Sequence, residues 1–169
     1  QVKQSMMAEL RSLLKSHDIT CIFVTHSKQE AFSFADKTAV MQAGKIQQID
    51  TTQTIYEQPN NAFVANFMEA GNLIPADKMP LGLLDQQSSA QNGDFLLREN
   101  GFAIDNLSSK ESAEKGIKAK VLDSLYMGFR YRNEVQLGEL KLFIESRQPL
   151  VRGADVMISY LHKPIVIKS

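Results

Sequence analysis

A short apolar segment at residues 19–24, ITCIFV, constrains the fold of this chain more than any other stretch. It is uncharged and rich in β-forming residues, which is typical of a strand buried on both faces. We therefore expect a strand here, with Cys21 as a small buried thiol within it. The strand leads into Thr25 and His26, so the imidazole would lie at its carboxyl end, where open α/β sheets bind ligands.

The segments around this strand alternate between helical and extended patterns. Met6, Leu10, Leu13 and Leu14 have helical spacing, which predicts an amphipathic helix over residues 3–16. Ser27 can cap a second helix, with Glu30 at the capping-box position. A hairpin is predicted around Gly44, and Thr51 or Thr52 can cap a helical turn after it. Pro59 then breaks the chain, and AFVANFME, residues 62–69, is the last short helix.

Residues 1–70 therefore have an α/β pattern, but with too few strands to complete a sheet. We expect this first domain, residues 1–70, to be an incomplete α/β fragment. The sequence also begins at Gln1, with no initiator Met and no signal peptide. We expect the chain to be a piece of a longer protein.

The second domain, residues 71–169, is expected to be all-β. Gly-bearing turns at 100–101, 127–128 and 152–153 separate several short β-like runs, which is typical of a small barrel or sandwich. Residues 85–94 and 107–116 are expected to be polar connecting loops. The predicted strands lie in FLLRE, FAID, GIKAKVLDSLY, YRNEVQLG, ELKLFIES, DVMISYL and PIVIK.

Charge and composition exclude some classes of function. The chain has 19 basic and 19 acidic residues, so it lacks the basic excess of most nucleic-acid-binding proteins. It has no apolar run of about 18 residues, so we expect no direct insertion into a membrane. Its single cysteine cannot form an internal disulfide. These features suit the cytoplasm.

The order of the motifs is more specific than any one of them. VTHSKQEAFSFADKTAVMQAGKIQQIDTTQTIYEQPNNAFVANF resembles the end of the nucleotide-binding domain of ABC transporter ATPases, in particular the importer branch. QVKQSMMAELRSLL resembles the helix that follows the D-loop in that family. NLIPA and LLRENGFAI resemble the appended regulatory domain, an OB-like barrel called TOBE, and YMGFRYRNEV is similar to a segment of ferric-iron importer ATPases.

The resemblance implies a fold and a function. Residues 1–70 would be part of a P-loop NTPase-type domain, followed by the OB-like barrel. The intact protein would be an ATPase that uses ATP and Mg²⁺, forms a homodimer, and drives a membrane permease from the inner face of the cell membrane, with ferric iron as the expected cargo. The chain contains no phosphate-binding loop, no signature motif and no strand ending in Asp-Glu, so we expect it not to hydrolyse ATP alone.

His26 is the one candidate catalytic residue. In the resembling family this position is the switch histidine of the H-loop, which contacts the γ-phosphate. An imidazole suits this role because one nitrogen can donate to a phosphate oxygen while a neighbour holds the other. The alternative is a polar residue at a strand end that faces solvent. His17 and His162 have no neighbours at metal-ligand spacing, so no metal site is expected, and Glu30 is interpreted as a helix-cap partner.

Residues 126–132, YMGFRYR, interleave aromatic residues with Arg130 and Arg132, as single-strand nucleic-acid platforms do. We favour a simpler interpretation, in which Tyr126, Phe129 and Tyr131 alternate between core and surface around a glycine turn. The alternative to the ATPase is therefore a stand-alone β-barrel module that binds a small ligand or an oligonucleotide.

Overall fold

A computed structural model describes residues 2–84, 93–106 and 116–167. The chain divides into two compact units, Gln1–Asn60 and Asn61–Ser169. The expected polar loops fall almost wholly on residues 85–92 and 107–115, which lie outside the described residues.

The first unit contains three helices and one hairpin. The hairpin turns at Ala43 and Gly44, whose φ angles of 48° and 74° are both left-handed, as a two-residue turn requires. The predicted hairpin and helices are confirmed, and Thr51 is the residue that caps the third helix. The elements are α1 (Val2–Ser16), α2 (Lys28–Phe34), β1 (Thr38–Gln42), β2 (Lys45–Asp50) and α3 (Thr52–Glu57).

The strand expected at residues 19–24 does not form. These residues are irregular and largely exposed, with Ile22 91% and Val24 90% accessible. Cys21 is exposed, so the expectation of a buried thiol is also wrong. A strand needs a neighbour for its backbone groups, and the described residues place none beside this segment. The ring of Phe23 lies 5.2 Å from that of Phe34.

The second unit begins with a short helix and continues in β-strands. All seven predicted strands are confirmed, and one more, β3, precedes them. The elements are α4 (Ala62–Phe67), β3 (Asn72–Pro75), β4 (Asp94–Leu97), β5 (Phe102–Asn106), β6 (Ile117–Tyr126), β7 (Tyr131–Leu137), β8 (Leu140–Ser146), β9 (Asp155–Tyr160) and β10 (Ile165–Ile167).

These strands form two antiparallel sheets, and within the described residues they do not close the small OB-like barrel that the resemblance implied. One sheet has the order β10-β4-β3 and the other has the order β5-β9-β6-β7-β8. The edge strands β5 and β8 of the larger sheet contact each other, but within the described residues no ladder joins them. The sheet therefore curls toward a barrel without closing through hydrogen bonds.

The core of the second unit lies inside this curled sheet. Strand β7 shows why: Asn133, Val135 and Leu137 are buried and alternate with more exposed residues, as the two-residue period of a strand dictates. The smaller sheet covers the core with Phe95 and Leu97. The other buried members are Ile74, Leu83, Phe102, Ala119, Val121, Leu142, Ile144, Val156, Ile158 and Tyr160.

Candidate functional site

His26 lies at the apex of a tight turn between the irregular segment and α2. The Ser27 N–H donates to the Thr25 hydroxyl at 2.9 Å, which joins the residues on either side of His26. This is the local side-chain turn that serine and threonine favour. The His26 side chain is exposed. The structure thus places His26 where a ligand could reach it, after a turn rather than after the expected strand.

Ser27 caps α2 as predicted, but the capping box is only half formed. The Ser27 hydroxyl accepts from the Glu30 N–H at 3.3 Å. The carboxylate of Glu30 should reach back to the Ser27 N–H. It accepts instead from the Thr25 hydroxyl, at 2.5 Å, and the Thr25 hydroxyl accepts from the Ser27 N–H. Glu30 is thus the cap partner of Ser27 through its backbone N–H, and its carboxylate makes further contacts outside the cap.

The second oxygen of Glu30 binds α1. Oε1 lies 2.5 Å from the Lys3 ammonium group, and the Glu30 side chain is only 17% exposed. The hydrogen bond from Lys3 lowers the pKa of Glu30 most, followed by the hydrogen bond from Thr25, and the charge of His26 adds a smaller lowering. Glu30 is therefore an ionised group that connects α1, the turn and α2.

A second ion-pair cluster fixes the other end of α2. Asp36 accepts from Arg11 and Lys15, each at 2.9 Å, and both neighbours lower its pKa, Lys15 first. The Arg11 Nε–H also donates to the Phe34 carbonyl at 3.0 Å. Two groups on α1 thus fix α2, Lys3 at its beginning and Arg11 at its end.

Two further results concern metal binding and membrane insertion, neither of which the sequence predicts. Within residues 2–84, 93–106 and 116–167, no group of three or more His, Cys, Asp and Glu side chains could hold a metal ion. Over the same residues, no helix is both long and apolar enough to cross a membrane.

The loop between β6 and β7 is more exposed than expected. Tyr126 is 59% and Phe129 80% accessible, so these two aromatic residues do not alternate between core and surface. Tyr131 is half-buried and its ring lies 5.1 Å from that of Tyr126. Arg132 forms a paired hydrogen bond with Glu99.

A cavity of about 440 Å³ opens on the outer side of the larger sheet. Its charged lining comes from Lys120 and Asp123 of β6, Glu134 of β7, Lys141 of β8, and Arg152 in the turn before β9. Glu134 and Lys141 form an ion pair at 3.0 Å. Neither Lys120 nor Arg152 has an ion-pair partner in the part of the chain that the structure describes. No sequence pattern pointed to this cavity, because its residues come from four separate segments.

Comparison with known proteins identifies the class. No model of a known protein family matches the chain. Its curated relatives are ATP-binding proteins of import systems. The chain is therefore homologous to a part of the ATP-binding proteins of ABC importers, which confirms the resemblance drawn from its motifs.

The individual relatives are of two kinds. The spermidine/putrescine import ATP-binding protein PotA of Vibrio cholerae is 33% identical over 154 residues, which cover 81% of this chain and 40% of that protein. PotA of Mycoplasmopsis synoviae is 28% identical, covering 95% of this chain and 38% of its own length. The Fe(3+) ions import ATP-binding protein FbpC of Mannheimia succiniciproducens is 30% identical, with 95% and 48% covered. The chain thus spans less than half the length of these relatives.

Proposed function

We propose that the chain is the C-terminal part of the ATPase subunit of an ABC importer, which couples ATP binding and hydrolysis to solute uptake. The observation that carries this proposal is the relatedness to import ATP-binding proteins over 81% to 95% of the chain. Residues 1–70 supply the end of the nucleotide-binding domain. Residues 71–169 are the regulatory, TOBE-like domain.

The exposed surface of the first unit supports this proposal. Several large apolar side chains are 40% or more accessible, which is unusual for so many residues in so small a unit. In the longer protein, the remaining part of the nucleotide-binding domain covers them and supplies strand neighbours for residues 19–24. The exposed residues are Met6, Leu10, Leu13, Ile19, Ile22, Phe23, Val24, Phe32, Met41, Ile46 and Ile49.

In the intact protein His26 is the switch histidine that contacts the γ-phosphate of ATP. The exposure of His26, in a turn that is closed by the hydrogen bond from the Ser27 N–H to the Thr25 hydroxyl, supports this role. ATP and Mg²⁺ bind mainly to parts of the protein outside this sequence, because phosphoryl transfer depends on a phosphate loop and metal-binding carboxylates. The chain alone therefore binds no nucleotide measurably and hydrolyses none.

For the transported solute we propose a polyamine. The expectation of ferric iron is not favoured, because seven of the eight similar proteins compared are named for spermidine and putrescine import and one for import of Fe(3+) ions. The protein works as a homodimer with membrane permease subunits, at the inner face of the cell membrane.

The test is uptake by cells that carry the full-length protein. His26→Ala is expected to abolish uptake of labelled spermidine or putrescine and to abolish ATP hydrolysis by the purified protein. His17→Ala is the matched control, because within residues 2–84, 93–106 and 116–167 the His17 ring bonds only to Ser16 and Leu13, near the end of α1. Normal uptake in the His26→Ala cells would contradict the proposed role, and uptake of ferric iron alone would contradict the proposed solute.

The cavity on the larger sheet favours a second candidate, a module that binds a small anion. Three basic side chains against two carboxylates give the lining an excess of positive charge. Titration of the chain with inorganic phosphate, followed by amide chemical shifts, tests this candidate, with Lys120→Gln against Lys45→Gln as control. Shifts that are confined to the cavity and lost in Lys120→Gln would support it. A short single-stranded oligonucleotide that moves the signals of residues 126–130 instead would support a nucleic-acid platform.

A further inference from the structure

We propose that Thr25 and Glu30 are positioning residues that hold His26 in place. This inference rests on the proposed role of His26, and it concerns how the same site is built. Neither residue would touch the nucleotide. Both would act through the backbone of the turn that carries the imidazole.

The Thr25 hydroxyl makes two hydrogen bonds with opposite roles. It donates to Glu30 Oε2 at 2.5 Å and accepts from the Ser27 N–H at 2.9 Å. A hydroxyl has one proton to donate, so the bond to Glu30 fixes the orientation in which its lone pair meets Ser27. The carboxylate therefore determines whether the turn around His26 is held.

Glu30 is suited to this task because its own position is fixed from three directions. Its N–H donates to the Ser27 hydroxyl, and its carboxylate binds Thr25 and Lys3. An ionised acceptor makes a shorter and stronger hydrogen bond than a neutral one. The hydrogen bonds from Lys3 and Thr25 lower the pKa of Glu30, so both neighbours favour its ionised form.

Helix capping alone does not require this arrangement. Ser27 already satisfies the first turn of α2 with its own hydroxyl, by accepting from the Glu30 N–H. The bond from the Ser27 N–H to the Thr25 hydroxyl lies before the helix and encloses only His26. The bond from the Thr25 hydroxyl to Glu30 connects this turn to the first turn of α2. Their effect is to restrict the backbone at His26 while its ring stays exposed, and a fixed backbone places a catalytic side chain within reach of its target.

The experiment uses the full-length protein, with four variants and two readouts. Thr25→Val removes the hydroxyl at similar size, Thr25→Ser restores it, and Glu30→Gln weakens the acceptor. Glu9→Gln is the matched control for Glu30→Gln, because Glu9 is exposed and makes no side-chain hydrogen bond within the described residues. Amide hydrogen exchange at Ser27 reports the turn, and steady-state ATP hydrolysis reports the reaction.

Thr25→Val is expected to speed exchange of the Ser27 amide by about tenfold, because its acceptor is lost and the turn opens locally. It is also expected to lower kcat by roughly ten- to a hundredfold, with KM changed less than about threefold, since misplacement affects reaction more than binding. Thr25→Ser should restore both values, and Glu30→Gln should fall between Thr25→Val and the wild type.

The outcomes separate this inference from the proposed function. An unchanged kcat in both Thr25→Val and Glu30→Gln, with activity lost in His26→Ala, would overturn the inference and leave the proposed function standing. Full activity in His26→Ala would overturn both. An equal loss of kcat in Glu9→Gln would also overturn the inference. If Thr25→Val fails to fold, the Glu30→Gln and Thr25→Ser pair still decides the question.

Discussion

The side-chain amide of Asn72 pairs with both backbone groups of Phe143. Asn72 Nδ2 donates to the Phe143 carbonyl at 2.8 Å, and the Phe143 N–H donates to Asn72 Oδ1 at 2.6 Å. Phe143 lies on β8, an edge strand of the larger sheet, and Asn72 is buried. The Asn72 amide thus forms the two hydrogen bonds that a neighbouring strand would otherwise form with Phe143. This pairing protects part of the edge strand, because unpaired edges favour association with other chains.

Asn72→Ala is expected to lower the free energy of unfolding by about 1–3 kcal/mol, because two backbone groups of Phe143 lose their partner. Urea unfolding followed by circular dichroism measures this change. Asn100→Ala is the control, since Asn100 is exposed in the short 3-10 helix Glu99–Gly101. Equal unfolding midpoints for Asn72→Ala and the wild type would show that water replaces the amide at no cost.

Arg132 and Glu99 form a paired hydrogen bond that we expect to stabilise the second unit. Arg132 donates from Nε and Nη2 to the two carboxylate oxygens at 2.7 and 2.6 Å, and its guanidinium lies 4.0 Å from the centre of the Phe143 ring. The bond to Glu99 is the main cause of the raised pKa of Arg132. Lysine cannot reproduce this fork or the stacking.

In a double-mutant cycle with Arg132→Lys and Glu99→Gln, we expect a coupling energy of about 1 kcal/mol, above that of most exposed ion pairs. Lys118 and Asp155 form an exposed ion pair at 2.8 Å and serve as the reference cycle. If the coupling energy between Arg132 and Glu99 is no larger than that of the reference pair, the paired hydrogen bond adds no stability beyond that of an ordinary exposed ion pair.

Tyr160 is expected to make stability fall at alkaline pH. Burial raises its pKa above the ordinary 10.0, and its oxygen accepts from the Arg98 N–H at 3.0 Å. The unfolded chain loses this proton more readily than the folded one, so folding is favoured below pH 10 and less favoured above it. The stabilisation is lost as the pH rises from about 10 through the higher pKa of the folded state.

Urea midpoints measured from pH 8 to pH 11 test this prediction. The wild type should decline more steeply above pH 10 than Tyr160→Phe, which has no proton to lose. At pH 8 the variant should be less stable by about 1 kcal/mol, because the Arg98 N–H loses its acceptor. Tyr126→Phe, at an exposed position, should keep the wild-type slope. Parallel curves for the wild type and Tyr160→Phe would contradict the assignment.

The β-rich half of the chain could be predicted from sequence because its signals are local. Strands such as β7 alternate apolar and polar residues, and glycine turns mark their ends. Strand β3 was missed because its four residues, NLIP, begin with Asn and end with Pro, which are both depleted in strands. The open edges of the sheet were missed because closure depends on distant pairing. Residues 19–24 carry an equally clear β pattern, yet they form no strand, since a pattern cannot supply a missing neighbour.

The candidate site could be predicted only in part, for a similar reason. His26 and the Ser27 cap follow from their places in the sequence. The bond between Thr25 and Glu30 does not, because the capping-box spacing assigns the same carboxylate to a different donor. The Lys3 contact joins residues 27 positions apart, and no local rule predicts such a pair.

Cys21 offers a direct test of whether a longer protein covers the first unit. Its thiol is exposed here, within the apolar segment that we expected to be a buried strand. In the full-length protein the proposed neighbours would enclose residues 19–24, and buried cysteines are inert. We therefore expect a thiol reagent to label Cys21 at least about tenfold more slowly in the full-length protein than in this chain, because labelling would require local opening.

The comparison needs a control for overall unfolding, which would expose the thiol in either protein. A Cys21→Ser variant that carries a new cysteine at the exposed position Ser12 should be labelled at equal rates in both lengths, provided that the outer face of α1 stays open. Equal rates for Cys21 itself would mean that the added sequence leaves this segment uncovered, and residues 19–24 would then not be a strand of a completed nucleotide-binding domain. Slow labelling of Cys21 beside rapid labelling of the control would instead show that the apolar segment gains its neighbours from outside this chain.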